Sequence, residues 1–204
     1  MTKIKWIIFD LGGIIILETS DLINNKIADI LNIPDEKLKE TAGKLHRQIT
    51  AGAITLLEMY SIITKELSIH ISANILLEEH LKQFRMLATK HNAGVVDFIK
   101  TLKNVYKVAC LSNLELEIAD ICRETKLFNY FDRAFLSTEL KMQKPDLNVY
   151  LKVLDELECK PNEIIFTDDR IENVNAANKI GIHALHYSNL EQLKFDVEEI
   201  LSGS

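Results

Sequence analysis

Two hydrophobic patterns alternate along the chain and predict a sheet with an inserted helical segment. Residues 4–9 form an apolar, strand-like run that ends at Asp10, before two glycines break the pattern. From residue 19 to residue 91 the pattern changes to successive helices. The predicted helices cover residues 21–32, residues 35–51, a segment opened by the capping-box residues Thr55 and Glu58, and residues 72–90. A buried strand followed by an all-helical block is therefore expected.

After residue 91 the chain alternates between strand and helix. The predicted strands are 105–111, 133–137, 163–167 and 183–186, and the predicted helices are 95–102, 115–126, 147–157, 172–179 and 190–201. Such alternation is typical of a parallel sheet with helices on both faces. The predicted fold class is α/β. A Rossmann-like core domain would comprise residues 1–18 and 92–204, with residues 19–91 inserted as a helical cap domain.

Composition narrows the possible partners and location. The chain has 204 residues, of which 47% are hydrophobic and 26% charged, which is typical of a globular protein. A net charge of -6 without any basic run argues against nucleic acid as a partner. The N-terminal apolar run is interrupted by Asp10 and is too short to span a membrane, so no membrane association is predicted. Three cysteines without a CxxC pair indicate a reducing, cytoplasmic location.

Polar side chains follow three of the predicted strands. Asp10, Ser112 and the pair Asp168-Asp169 each come just past the end of an apolar run. In an open parallel sheet the carboxyl ends of the strands meet at one edge, and ligands bind there. These side chains, distant in sequence, are therefore expected to converge on one site.

The first two clusters have the composition of an anion-binding site. Gly12 and Gly13 after Asp10 allow the backbone to approach an anion closely, although the same residues also form simple turns. Ser112 and Asn113 can bind an oxyanion through a hydroxyl and a backbone N–H, but both residue types are also common helix caps.

The two remaining motifs contain a lysine and a pair of adjacent carboxylates, respectively. Lys144 precedes Pro145, which favours extended backbone, whereas an isolated lysine is usually a solvated surface residue. The adjacent carboxylates of Asp168 and Asp169 close an apolar strand and repel each other unless a cation offsets their charge. Mg²⁺ is the natural partner, since it prefers carboxylate oxygens. The alternative is that Asp168 caps the following helix.

In order and spacing, the segments FDLGG, LSN, QKPD and FTDDRIENVNAANKIGI resemble the four motifs of the haloacid dehalogenase (HAD) superfamily of hydrolases. The resemblance runs from Asp10 to Asp169 and places the helical block where that superfamily has its first-type cap. It implies an enzyme, a Mg²⁺-dependent phosphatase that hydrolyses a small phosphorylated metabolite through an aspartyl-phosphate intermediate. A sugar phosphate is one candidate substrate, because the FDLGG and DD segments resemble those of the α-D-glucose-1-phosphatase-like branch.

The resemblance also implies roles for the residues that would carry the reaction. Asp10 would be the nucleophile that attacks phosphorus. Mg²⁺ would be held by Asp10, by the backbone carbonyl of Gly12 and by Asp169.

A second group of residues would bind the phosphate group and neutralise its charge. Ser112 and the N–H of Asn113 would bind phosphate oxygens. Lys144 would neutralise charge on the nucleophile and on the transferring group, with Asp168 and Asn173 as supporting residues.

One position departs from the pattern. Most phosphatases of the superfamily have a second aspartate, the general acid for the leaving group, where this chain has Gly12. The glucose-1-phosphatase-like branch shares that glycine, and its anomeric leaving groups need protonation less. Alternatively, another residue of the chain supplies the proton, with Glu18, His46 and Glu58 as candidates.

Two other functions stay open at this point. In a 2-haloacid dehalogenase a halide leaves without a proton and no metal is needed, but Asp168 and Asp169 would then oppose an anionic substrate. A catalytically weak HAD-fold protein that only binds a phosphorylated ligand is the other alternative, and the absence of an acid at Gly12 is its only support.

Overall fold

A five-stranded parallel sheet forms the centre of the computed structural model, which describes residues 3–17 and 19–203. The strands are β1 (Trp6–Phe9), β2 (Lys107–Ser112), β3 (Arg133–Leu136), β4 (Ile164–Asp168) and β5 (His183–His186). Their order across the sheet is β3-β2-β1-β4-β5, and every neighbouring pair is parallel. From β1 the strand order first extends to β2 and β3 and then continues on the other side of β1 with β4 and β5. The carboxyl ends of β1 and β4 therefore flank the position at which open α/β sheets bind ligands.

The central strands are buried on both faces, which explains their continuous apolar sequences. Ile7 and Phe9 of β1 pack into one hydrophobic cluster, while Ile8 packs into a second cluster on the opposite face. Cys110 and Leu111 of β2 divide between the two clusters in the same alternating manner. The sheet is thus a layer between two apolar cores.

Eleven α-helices are described around the sheet. They are α1 (Thr19–Leu31), α2 (Asp35–Gly43), α3 (His46–Thr50), α4 (Leu56–Glu66), α5 (Ala73–Ala88), α6 (Ala93–Leu102), α7 (Leu116–Glu124), α8 (Ser137–Leu140), α9 (Leu147–Leu157), α10 (Ile171–Lys179) and α11 (Leu190–Ser202). Short 3-10 turns occupy Leu127–Tyr130 and Pro161–Glu163. The predicted α/β class with an all-helical insertion is confirmed. No helix among the described residues is long and apolar enough to cross a lipid bilayer.

The helical block agrees with the prediction except at one point. The capping box at the start of α4 is present, with the Thr55 hydroxyl accepting from the Glu58 N–H and the Glu58 carboxylate accepting from the Thr55 N–H. The single helix predicted at residues 35–51 is wrong, because it is divided into α2 and α3. The Thr50 hydroxyl in α3 bonds Gln143 Oε1 at 2.6 Å, a contact that ties this short helix to a distant loop.

The strand predicted at residues 133–137 is one residue too long, because Ser137 begins α8. The hydroxyl of Ser137 accepts from the N–H of Leu114 at 3.1 Å and donates to the carbonyl of Thr50. This residue therefore joins the loop after β2 to the helical block.

The helical block shares one hydrophobic cluster with a face of the sheet. Ile27, Leu38 and Ile63 from three of its helices belong to the same cluster as Ile7 and Phe9 of β1. Helix α5 also packs against α7. Residues of the block line a cavity together with Asp10 and Asp169 at the carboxyl edge of the sheet. The division of the block from the core as a cap domain of residues 19–91 stays a prediction.

Candidate active site

Three carboxylates meet where β1 and β4 end. The N–H of Asp10 donates to the carbonyl of Thr167 at 2.9 Å, which joins the ends of the two strands. Carboxylate oxygens of Asp10, Asp168 and Asp169 all lie within 4.8 Å of one another. The structure thus brings together the residues that follow the two strands, as their order in the sequence predicts.

Lys144 lies inside this cluster of carboxylates. Its Nζ is 3.0 Å from Asp10 Oδ1 and 2.6 Å from Asp168 Oδ2, and the residue is only 3% exposed. Nζ also lies 5.5 Å from the centre of the Phe166 ring. The surface alternative for Lys144 is therefore wrong, since its ammonium group is buried between two carboxylates.

The side chain of Asn113 holds the backbone of Lys144. Its Nδ2 donates to the Lys144 carbonyl at 2.8 Å, and its Oδ1 accepts from the Lys144 N–H at 3.0 Å. Sequence reasoning considered only the N–H of Asn113 as a phosphate donor and missed this pair of bonds. No sequence signal indicates it, because the two residues are far apart along the chain.

Asp168 accepts three hydrogen bonds, one of them from Lys144. Besides Lys144, its carboxylate accepts from the Arg170 N–H and from Asn173 Nδ2, both at 2.9 Å. Asn173 is itself buried, and its carbonyl accepts from the Tyr150 hydroxyl at 2.9 Å. Asp168 therefore contributes to the start of α10, but helix capping alone does not account for its contact with Lys144.

The two glycines after Asp10 differ in their surroundings. Gly13 has φ +70, and a Cβ built there would lie 2.1 Å from Asp169 Oδ2, so only glycine fits. A Cβ on Gly12 would meet nothing within 4 Å, and its φ is outside the left-handed region. The absence of a side chain at Gly12 is therefore not imposed by the fold.

Burial makes the ionised forms of Asp10 and Asp169 costly. It raises the pKa of Asp10 to about 6, with a further rise from Asp168, against the lowering effects of Lys144 and the Ser112 side chain. The pKa of Asp169 is raised by burial and by the charge of Asp168. When all are ionised, three carboxylates face one ammonium group, which leaves two negative charges uncompensated. Charge and oxygen donors together fit a divalent cation.

A cavity of about 430 Å³ extends from the carboxylates into the helical block. Ser112, Asn113 and Asn173 line it together with the residues already described. Of the three candidates for a proton donor, His46 lines the cavity and is exposed. Glu58 is exposed and bound in its capping box, and Glu18 lies outside the described residues.

Three polar residues of the cavity wall were missed by sequence reasoning. The Tyr60 hydroxyl and His80 Nδ1 lie 2.7 Å apart, and Glu115 lies at the start of α7. From the sequence alone His80 reads as a surface or packing residue. Tyr60 and His80 lie in different helices, and their positions in these helices do not predict that both side chains line one cavity.

Lys144→Met is expected to lower the free energy of unfolding by about 3–5 kcal/mol in metal-free buffer at neutral pH. Methionine retains much of the apolar length, but Asp10 and Asp168 lose the ammonium group that offsets their buried charges. Urea unfolding monitored by circular dichroism measures the change. Lys152→Met, at an exposed ion pair with Glu156, is the matched control and should change stability by less than about 0.5 kcal/mol. Equal stability of the two variants would contradict the electrostatic role of Lys144.

The fold and the site define an α/β protein with a carboxylate-lysine centre at the edge of its sheet, suited to a divalent cation and an anionic ligand. The family model for haloacid dehalogenase-like hydrolases matches residues 7–186, which include all four predicted motifs. The chain belongs to this family of hydrolases.

Two curated relatives indicate the range of activities among similar proteins. The phosphorylated carbohydrates phosphatase of Thermotoga maritima is 27% identical over 191 residues, covering 88% of this chain and 83% of the relative. The flavin mononucleotide hydrolase 1 of Arabidopsis thaliana is 28% identical over 123 residues, which are 60% of this chain. The matched region is only 50% of the Arabidopsis protein's length.

A solved structure shares the fold over nearly the whole chain. The HAD family enzyme of Bacteroides thetaiotaomicron, in complex with magnesium and inorganic phosphate, superposes with a TM-score of 0.75. The alignment covers 93% of this chain and 98% of that one at 22% identity. This similarity establishes the common fold.

Proposed function

We propose that this protein is a Mg²⁺-dependent phosphatase that hydrolyses a small phosphorylated metabolite. The observation that carries the proposal is the contact of Lys144 Nζ with both Asp10 and Asp168, in a cluster that also contains Asp169. A buried ammonium group beside a nucleophile can offset the charge of a transferring phosphoryl group. The named activity of the Thermotoga relative and the bound magnesium and phosphate of the Bacteroides enzyme support the same chemistry.

Mg²⁺ would be held by the carboxylates of Asp10 and Asp169 and by the backbone carbonyl of Gly12. Two uncompensated negative charges and hard oxygen donors fit this ion, whereas Asp168 already accepts three hydrogen bonds. When bound, the ion supplies positive charge between the nucleophile and the phosphoryl oxygens.

Asp10 is the proposed nucleophile. Its carboxylate oxygen forms a bond to phosphorus while the bond from phosphorus to the ester oxygen breaks, and the leaving alkoxide takes a proton from water to become the alcohol. Water then hydrolyses the aspartyl-phosphate, which releases inorganic phosphate and restores Asp10.

The neighbouring residues bind and position the reacting groups. Ser112 and the N–H of Asn113 bind phosphate oxygens, and Lys144 stabilises the charge that builds up on the transferring group. Asp168 accepts from the Lys144 ammonium group, and the Asn173 amide in turn donates to Asp168. The Asn113 side chain adds a second constraint on Lys144, through its backbone.

Without an acid at Gly12, the leaving group receives less help. General acid catalysis contributes about 10²–10⁴-fold in typical enzymes, so esters of acidic alcohols should react best. The protein is further proposed to work in the cytoplasm, a location that its unpaired cysteines fit.

Release of phosphate from 4-nitrophenyl phosphate is expected to require Mg²⁺ and to cease in EDTA. Mg²⁺ should also raise the unfolding temperature of the protein, since ion binding at 100 times its Kd stabilises a folded state by about 2.7 kcal/mol. Asp169→Ala should remove both effects because it leaves no oxygen donor at this position. Asp155→Ala, at an exposed position on α9, is the matched control and should retain both.

Three results would count against the proposal. Undiminished phosphate release in EDTA would rule out the metal. Halide release from a 2-haloacid in EDTA would favour the dehalogenase instead. Tight binding of a phosphate ester, without turnover across a broad panel of esters, would indicate a ligand-binding protein.

A further inference from the structure

The part of the cavity above the carboxylates has an apolar wall. Helices α1 to α5 contribute side chains that are at most 5% exposed, namely Ile23, Leu38, Ile49, Leu56, Met59 and Phe84. The phosphate group would occupy the polar end near Ser112 and Lys144. The remaining volume, which would hold the leaving group, is therefore enclosed mainly by hydrocarbon.

Several polar groups of this wall are already paired within the protein. Lys39 Nζ contacts the carboxylates of Asp21 at 2.8 Å and Asp35 at 2.7 Å. The Tyr60 hydroxyl is bonded to His80. Burial lowers the pKa of His80 to about 4, so its ring is neutral at physiological pH. A ligand would have to compete with these contacts in order to use them.

Close to the catalytic carboxylates, a further polar group of the cavity is already paired, since Arg170 Nη2 lies 2.5 Å from Glu172 Oε1. Asn24 and the exposed His46 complete the polar lining. A sugar phosphate places several hydroxyl groups in such a cavity, and each one that loses water without gaining a partner weakens binding. The wall therefore disfavours a polyol as the leaving group.

Glu115 is the exception among the polar groups. It lines the cavity, three positions after Ser112, and burial raises its pKa. Its carboxylate accepts from its own backbone N–H, but no side chain among the described residues donates to it or forms an ion pair with it. Tyr60 lines the same cavity, and its pKa is raised by burial and by the charge of Glu115. A cavity carboxylate that lacks a side-chain partner is stabilised by a donor that the ligand brings.

We propose that the substrate is a phosphomonoester of a mainly apolar alcohol, whose far end carries one hydrogen-bond donor for Glu115. The donor is a hydroxyl or an ammonium group, which share the ability to donate to a carboxylate. This inference rests on the proposed phosphatase function and specifies its substrate class. The apolar wall accommodates the carbon chain, and Glu115 recognises its end.

Four esters built on the same five-carbon chain test the proposal. They are pentyl phosphate, 5-hydroxypentyl phosphate, 5-aminopentyl phosphate and ribitol 5-phosphate, with the butyl and hexyl homologues of the first three. Their dissociation constants are measured by calorimetry with Mg²⁺ on the Asp10→Asn variant, which binds without turnover. The better of the hydroxyl and amino esters is expected to bind at least about tenfold more tightly than pentyl phosphate and than ribitol 5-phosphate.

Variants of Glu115 separate the two kinds of donor. Glu115→Leu should abolish the preference for a donor while leaving pentyl phosphate bound within about threefold of its original affinity. Glu115→Gln retains an acceptor without the charge, so it should preserve a hydroxyl preference and remove an ammonium preference. Glu124→Gln, at an exposed position on the same helix, is the matched control and should leave every affinity within about twofold.

Each remaining outcome overturns the inference. Tighter binding of ribitol 5-phosphate than of the apolar esters would show that the cavity selects a polyol, and the phosphatase proposal would survive. An unchanged donor preference in Glu115→Leu would remove Glu115 as the recognising group. Failure of inorganic phosphate and all four esters to bind would refute the proposed function together with the inference.

Discussion

Asp10→Asn is expected to lower phosphate release by roughly 10³-fold or more, because an amide cannot attack phosphorus. Asparagine has nearly the same shape as aspartate, and Lys144 retains its contact with Asp168. The loss should therefore appear in turnover, while inorganic phosphate continues to bind. Initial rates of phosphate release from 4-nitrophenyl phosphate with saturating Mg²⁺ provide the measurement.

The stability of the same variant provides an independent check. The pKa of Asp10 is raised by burial, so its ionised form costs folding free energy above its ordinary pKa, and this cost is fully present at neutral pH. In metal-free buffer Asp10→Asn should accordingly unfold at the same temperature as the parent protein or at a higher one. Activity that survives the substitution would show that another residue is the nucleophile. A lost activity that accompanies a lower unfolding temperature would point to misfolding instead.

Gly12→Asp is expected to increase the hydrolysis of esters with poor leaving groups, such as alkyl phosphates, by about 10²-fold or more. A Cβ at this position meets open space and the backbone needs no left-handed conformation, so the new side chain can be accommodated without strain. The carboxyl group would lie two residues from the nucleophile, where most phosphatases of the superfamily have their general acid. Hydrolysis of 4-nitrophenyl phosphate should change little, since its leaving group needs no proton.

Gly12→Asn is the matched control for this gain, because it has the same shape without a transferable proton. The acid variant should also show a falling limb at high pH that the parent and the asparagine variant lack. Gly13→Asp places the same side chain at the neighbouring position, which has no space for it. Its side chain would collide with Asp169 and its φ is positive, so that variant should be destabilised. Equal rates for Gly12→Asp and Gly12→Asn would mean that proton donation does not limit the reaction.

Local sequence patterns were sufficient for most of the secondary structure. The capping box at Thr55 and the helix at Leu147–Leu157 lie where the sequence predicts them, because both depend on residues close together in the chain. The break between α2 and α3 was not predictable in the same way. It is accompanied by the contact of Thr50 with Gln143, and periodicity within the helical block contains no information about that distant loop.

The candidate site was likewise predictable only in part. Topological reasoning places Asp10 and Asp168 together, because the carboxyl ends of parallel strands meet at one edge of a sheet. It does not predict that the Asn113 side chain holds the Lys144 backbone, or that Glu115 lines an apolar cavity without a donor side chain among the described residues. Those arrangements depend on side-chain directions in loops and on helices that pack from elsewhere in the chain.

By itself, the sequence determined the α/β class and the order of the motifs, since both depend on residue type and local pattern. The chemistry expected of Asp10, Lys144 and Asp169 came from the resemblance of these motifs to those of the family. The tertiary structure alone decided that Lys144 is buried between two carboxylates and that a side chain at Gly12 would have room. It also decided which side chains line the cavity next to the carboxylates. The physical reason is that charge pairing, burial and free volume are properties of atoms brought together by folding, and residues adjacent in the sequence do not specify them.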